Sequence, residues 1–412
     1  MKIGEFAAAC HTSRDTVRYY VEEGLLFPKL RGKQLDFAQR DLEEYHQIQQ
    51  WKAMGFTLAE IKGIAHLYRL SNAIEPSTID EYQAMLRGKR EQLLAQQEQL
   101  KKSLQLLHEE DERVERLRVP HKAALTGVPL EAVPLLVCPH CGGRFAIRRA
   151  ELQGSALMSG ELQCACGYHA AIREGILCTD NCYTGLYDQP DLRRELYHDT
   201  GPEWDLCMQK ALDVMVERVH KMDLHHKVIL ETNINGFFFT YHFLNQLPRD
   251  NLFVFVDKYE ETLRMYKGYI EALAPELPVL YLADAGEHYP LAPGSVDVQL
   301  GIMSENEYTF YHPHHQILDI APLFRPGGRV LQLFTSCGEH SRSRQIQMEL
   351  YPEGGPERGC IRFVQRDYQK EGFAFGLTEI GQVLHTTKHH FYRSHVDGEP
   401  LTLYIFDAVR RG

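Results

Sequence analysis

At 412 residues, with 44% hydrophobic and 25% charged residues, the chain is too long for one core and requires two or three domains. Its 45 Lys and Arg against 56 Asp and Glu leave a net charge of −11, which argues against indiscriminate nucleic-acid binding but leaves room for a local basic face. No apolar run approaches a membrane span and no signal segment opens the chain, so a cytoplasmic protein without a membrane partner is expected. The ten cysteines include two tight pairs, which suit metal binding better than a disulfide framework.

Ile3, Phe6 and Ala7 fall on one face of a short helix, and Cys10-His11-Thr12 reads as a turn. Ser13 is placed to cap a second helix, from Arg14 to about Glu23, with Asp15 favoured in its first turn and Gly24 as its stop. Val17 and Val21 are expected inward, with Arg14, Arg18, Tyr19 and Tyr20 on or beside the solvent side. Between residues 14 and 33, Arg14, Arg18, Lys29, Arg31 and Lys33 outweigh Asp15, Glu22 and Glu23. Two short helices joined tightly, the second rich in Arg and Tyr, predict a helix-turn-helix. Arginine can pair with guanine edges or phosphates, and tyrosine hydroxyls suit phosphates.

The run Ser13-Arg14-Asp15-Thr16-Val17-Arg18-Tyr19-Tyr20, then Gly24-Leu25-Leu26 and Met54-Gly55-Phe56-Thr57-Leu58-Ala59-Glu60-Ile61, resembles the mercury-resistance (MerR) family of transcription regulators. The resemblance implies a winged helix-turn-helix over residues 1–75, with Arg14, Thr16, Arg18, Tyr19 and Tyr20 facing double-stranded promoter DNA and Lys29, Arg31 and Lys33 on the wing. It also implies a regulator that meets RNA polymerase at the promoter. Gln34-Leu35 stands where the family's wing usually carries Tyr-Arg, so wing contacts should differ.

Leu86, Leu93, Leu100, Leu107 and Val114 recur every seven residues among Gln, Glu, Lys and Arg, predicting a dimerisation helix over 76–120 and hence a homodimer. Pro120 and Gly127-Val128-Pro129 read as a linker. Cys138-Pro-His-Cys141-Gly-Gly and Cys164-Ala-Cys166-Gly, with 22 residues between Cys141 and Cys164, can supply four thiolates to a structural Zn2+ in a ribbon over 130–182. Cys178, Cys182, His140 and His169 are weaker ligand candidates. The stretch from Cys166 to Leu177 resembles zinc-ribbon modules that precede some bacterial methyltransferase domains.

Beyond residue 195, strands at 228–231, 252–257, 279–284, 294–301 and 329–334 alternate with helices, predicting a doubly wound parallel sheet. The fold class is therefore multidomain α + α/β, ending in a Rossmann-like domain over 195–412. Its order resembles the class I S-adenosylmethionine-dependent methyltransferases. That resemblance implies ribose contact at Asp257, adenine contact at Asp284-Ala285, and a first loop at Glu231-Thr232-Asn233-Ile234-Asn235-Gly236-Phe237. The loop departs from the family pattern, because Asn233, Asn235 and Phe237 replace glycines. Glu231, Asn233, Asn235, Asp257, Asp284, Ala285 and Glu305 are the candidate ligand residues, and no catalytic residue is assigned. The domain reads as a sensor of S-adenosylmethionine or another small effector, with an active methyltransferase and a purely structural module as alternatives. The aromatic run from Phe237 to Phe243 reads as a buried face or as a pocket for a planar or cationic ligand, and His312, His314 and His315 as solvated histidines.

Overall fold

A computed structural model describes residues 1–32, 34–70, 76–117, 126–185, 189–195, 198–286, 288–387 and 393–412. Lys33, Pro120 and the pair His389-His390 lie outside the described residues. The chain forms two compact units, Met1–Arg118 and Val119–Gly412.

In the first unit, α1 (Ile3–Ala9) buries Phe6 and Ala7, and the Ser13 hydroxyl caps α2 (Arg14–Glu22) by accepting the Thr16 N–H at 3.0 Å. Gly24 follows at φ +67°, a left-handed turn that stops the helix cheaply only without a Cβ. Strands β1 (Lys29–Arg31) and β2 (Gln34–Asp36) form an antiparallel wing. Phe37, just past it, stacks on Phe6 at 4.2 Å and fixes the wing to α1. Helices α3 (Gln39–Ala53) and α4 (Leu58–Leu70) close the core, where Trp51, Ile61 and Ile64 are buried. Thr57 and Glu60 form the reciprocal cap that starts α4. Helix α5 (Pro76–Leu117) runs 42 residues. Its first turns are held by the Trp51 indole N–H on the Tyr82 hydroxyl at 2.9 Å and by Lys89 against Glu60 at 2.9 Å.

The second unit is built on one twelve-stranded sheet. Strands β3 (Val128–Pro129), β4 (Ala146–Gln153), β5 (Ala156–Gln163), β6 (His169–Arg173) and β7 (Ile176–Thr179) make the ribbon end. After α6 (Pro202–His220) come β8 (Val228–Thr232), α7 (Phe239–His242), β9 (Leu252–Asp257), α8 (Glu260–Leu273), β10 (Val279–Ala283), β11 (Val296–Ile302), α9 (Ser304–Tyr311), α10 (Ile317–Ile320) and β12 (Phe324–Cys337). Helices α11 (Arg342–Leu350) and α12 (Ile361–Lys370) then lead to β13 (Phe373–Val383) and β14 (Leu401–Arg410).

The order is β13-β14-β12-β11-β8-β9-β10-β7-β6-β5-β3, with β4 paired to β5. From β12 to β10 all pairings are parallel, while β14 is antiparallel to both its neighbours. This is the two-halved Rossmann order with one antiparallel strand inserted near its end, and the order reverses between β8 and β11. Side chains alternate as the pleat requires. Ile229, Phe253, Phe255 and Tyr281 join the layer of α6 and α8, whereas Leu230, Val254, Val256 and Leu282 join that of α10 and α12.

Two expectations are corrected. The supposed linker Gly127-Val128-Pro129 enters the sheet: Val128 pairs with Leu157 and is fully buried. Between β11 and β12, where strand–helix alternation predicts one helix running to about Leu323, the chain instead forms α9, α10 and a 3-10 turn, as Pro313 and Pro322 interrupt the backbone donors. The ribbon is also continuous with the sheet, because β7 pairs in parallel with β10 through Leu177 and Leu282.

Candidate functional site

On the first unit, Arg14, Arg18, Lys29 and Arg31 are exposed, Tyr19 is 45% exposed, and Thr16 is half-buried within the cap of α2. Arg14 lies back over α1, where Gly4 leaves room: a Cβ there would sit 2.9 Å from the guanidinium. Tyr20 is corrected. It is buried with Val17 in the core, and its hydroxyl accepts from Lys52 at 3.1 Å and Gln49 at 3.3 Å. Val17 and Tyr20, three apart, form the inward stripe, and Val21 is only half-buried. Farther along α5, Leu93, Leu100, Leu107 and Val114 are 45–66% exposed.

The ribbon brings the four expected thiols together. Their sulfurs all lie within 4.8 Å of one another, with Cys138 Sγ 3.5 Å from Cys166 Sγ and Cys141 Sγ 3.4 Å from Cys164 Sγ. Tetrahedral Zn–S bonds of about 2.3 Å place sulfurs about 3.8 Å apart, so the cluster fits zinc with little movement. Gly142, at φ +69°, gives its N–H to the Cys138 carbonyl and closes the first knuckle. Cys178 is buried against Glu260, Cys182 is exposed, and neither they nor His140 and His169 join the cluster.

At the carboxyl ends of β8, β9 and β10, the expected ligand residues are engaged within the chain. Burial pushes the Glu231 carboxyl up to about 7, and its oxygens accept the N–H groups of Phe239 and Thr240. Burial likewise lifts Asp257 to about 6 against the opposing pull of Lys258. Its oxygens accept from Asn235 N–H at 2.7 Å and Tyr259 N–H at 3.0 Å. Asp284, raised to about 6 by burial, accepts from the Thr179 hydroxyl, the Asn181 amide and Gly286 N–H. The Ala285 N–H bonds the Asn181 carbonyl, and its own carbonyl lies 3.0 Å from His312 Nε2.

In the first loop, Asn233 adopts φ +56°, the conformation its lost glycine would supply, and donates to the Ser304 carbonyl. Asn235 Oδ1 accepts from the Thr262 hydroxyl. Arg194 covers the carbonyls of Asn235 and Gly236, and the Phe237 backbone bridges to Ile302 of β11. These residues do not fit S-adenosylmethionine in a methyltransferase pose. The backbone that must approach its methionine end is held to β11 and covered by a guanidinium.

Burial bears on three further readings. Phe237, Phe238 and Phe239 are core residues, so the aromatic run is a buried face. Glu305 is withdrawn from the ligand set: fully buried, it accepts from Gln316 N–H, Ile317 N–H and the Tyr368 hydroxyl and thereby caps α10. Of the three histidines, His315 is buried 2.7 Å from Asp367, whereas His312 and His314 are partly exposed, His314 lying 2.7 Å from Asp319.

Sequence reasoning missed the group that does gather at the crevice. Lys258 Nζ lies 3.0 Å from Glu307, and its ammonium faces the rings of Tyr311, Tyr259 and Tyr183 at 3.1, 4.9 and 5.3 Å from their centroids. The Asp257-Lys258-Tyr259 run at a strand end was the available signal.

The comparisons with known proteins divide at the same place. The model of the MerR HTH family regulatory protein matches residues 1–67, and that of the MerR DNA-binding region matches residues 42–109. A MerR-family transcriptional regulator from Bacillus cereus is 30% identical, with a TM-score of 0.24, over 29% of this chain and 84% of its own. The second unit aligns with methyltransferases. Phosphoethanolamine N-methyltransferase 2 of Haemonchus contortus is 13% identical over 51% of this chain and 53% of its own, TM-score 0.34. A SAM-dependent methyltransferase of Aquifex aeolicus is 12% identical over 48% and 89%, TM-score 0.33. No curated protein matches the chain. The molecule thus carries a MerR-type DNA-binding domain joined to a Rossmann-like sheet with a four-cysteine ribbon. Through residues 1–109 the chain belongs to the MerR family of regulators.

Proposed function

We propose that the protein is a dimeric transcription regulator that binds double-stranded promoter DNA beside RNA polymerase, and that its sheet unit senses a small effector. The observation that carries this reading is the outward set Arg14, Arg18, Tyr19, Lys29 and Arg31 on a matched DNA-binding unit whose long helix leaves Leu93, Leu100 and Leu107 uncovered. Arg14, Arg18 and Tyr19 meet one DNA groove from α2, Thr16 lies beside them, and Lys29, Arg31 and Lys33 meet phosphates from the wing. A second copy covers the leucine stripe, which places two reading heads on a palindromic site.

Zn2+ on Cys138, Cys141, Cys164 and Cys166 serves folding, since four thiolates leave no open position for chemistry. The sheet unit acts as sensor rather than methyltransferase because its first loop is closed by Phe237 and Arg194. An effector acts by binding the DNA-distorting state better than the resting one. Gel shift with duplexes from upstream of its own coding sequence, run beside measurement of mass in solution, tests the reading. A dimer with one specific complex is expected; a monomer, or shifts indifferent to sequence, would overturn it.

A further inference from the structure

The sheet crevice holds a cation already, and the cation belongs to the chain. Lys258 extends from the end of β9 into a box whose walls are Tyr183, Tyr259 and Tyr311 and whose counter-charge is Glu307. The Lys258 and Glu307 side chains are only 7% and 15% exposed. Three π-faces around one ammonium, with a carboxylate at hydrogen-bond distance, are what a desolvated organic cation needs. The walls come from three separated parts of the sequence: the segment after β7, the start of α8, and α9 after β11. Tyr183 is tied across to Glu353, between α11 and α12, by a 2.9 Å hydrogen bond, so the box has a roof as well as walls.

Glu307 meets one N–H of the ammonium, and the three rings face the same charge. The rings add an affinity that any compact ammonium can share. Lys258 sits on the connection between β9 and α8, and the exchange requires its stem to turn to water as another cation takes its place. The exchange is nearly balanced in charge: one ammonium leaves Glu307 and one arrives, and Lys258 regains its hydration.

We infer that this box is the effector site and that it takes a small organic ammonium of the alkylated kind, in exchange for Lys258. The inference deepens the sensor reading by naming the ligand class, and it rests on that reading.

The test is equilibrium dialysis of the full-length zinc-loaded protein with radiolabelled choline, at constant ionic strength set by sodium chloride. Saturable binding is expected in the wild type. Lys258→Ala, which removes the internal competitor, should bind about tenfold more tightly, and Glu307→Gln about tenfold more weakly. Absence of saturable binding in the wild type would overturn the proposal, whether or not Lys258→Ala folds. Binding unchanged in Glu307→Gln, or unchanged in a folded Lys258→Ala, would overturn it equally. The readout does not involve DNA, so failure here leaves DNA binding by residues 1–109 untouched, and failure of DNA binding leaves choline binding to be measured.

Discussion

The two units treat their family positions in opposite ways. In the DNA-binding unit, Arg14, Arg18 and Tyr19 are exposed on a helix held by its cap and by a buried Tyr20. In the sheet unit, Glu231, Asp257 and Asp284 hold the expected positions but spend their oxygens on the chain's own N–H and O–H groups. A side chain left uncompensated at a surface is available to a partner. One whose bonds are completed internally has become part of the fold, unless a rearrangement releases it. The same kind of sequence match therefore leaves an outward face in one unit and an internally bonded set of carboxylates in the other.

The comparison breaks most visibly at the ribbon. With zinc on the four thiols, as proposed, Cys138→Ser or a chelator should cost several kcal/mol and lower the melting temperature of the sheet unit, because metal binding would then be folding energy. Differential scanning calorimetry with metal analysis checks this, and an unchanged transition in zinc-free protein would contradict it. On the first unit, Arg18→Ala should weaken specific DNA binding by about tenfold to a hundredfold, the range for losing a base or charged phosphate contact. Fluorescence anisotropy at fixed salt reads the loss, while the melting temperature should stay unchanged, since among the described residues Arg18 pairs with exposed Asp15.

A pH series sharpens the contrast from the other side. The folded-state carboxyl of Asp284 is raised by burial from 3.8 to about 6, so the native state holds its proton longer than the unfolded chain. Its contribution is present at low pH and is lost as pH rises from about 4 to about 6. Asp284→Asn should flatten that decline by on the order of 2 kcal/mol, measured by urea unfolding at each pH. The smallest effect belongs to Tyr20→Phe. Deleting the hydroxyl that receives Lys52 and Gln49 should cost about 1 kcal/mol of stability and leave DNA affinity within about twofold. A loss as large as that of Arg18→Ala would return Tyr20 to the DNA-facing set.

Local signals were legible where local physics decides. Ser13, Gly24, the cysteine spacing and the limits of β9 stand where cap, turn and periodicity place them. What a single sequence hides is set at long range. Tyr20 turns inward because Tyr45, Gln49 and Lys52 of α3 receive it. Glu305 leaves the crevice because Gln316 and Ile317 need a cap. Val128 becomes a strand because Leu157 offers an open edge. The cation box was invisible for the same reason, since Tyr183, Lys258 and Tyr311 meet only once the sheet has formed.

The central claim, that the outward face of the first unit reads a DNA site as a dimer, is tested most directly by a DNase I footprint across the upstream region. The account predicts one protected stretch with two halves related by a two-fold axis, lost in the Arg14→Ala, Arg18→Ala double variant. Protection that persists in that variant, or none with the wild type, would contradict it.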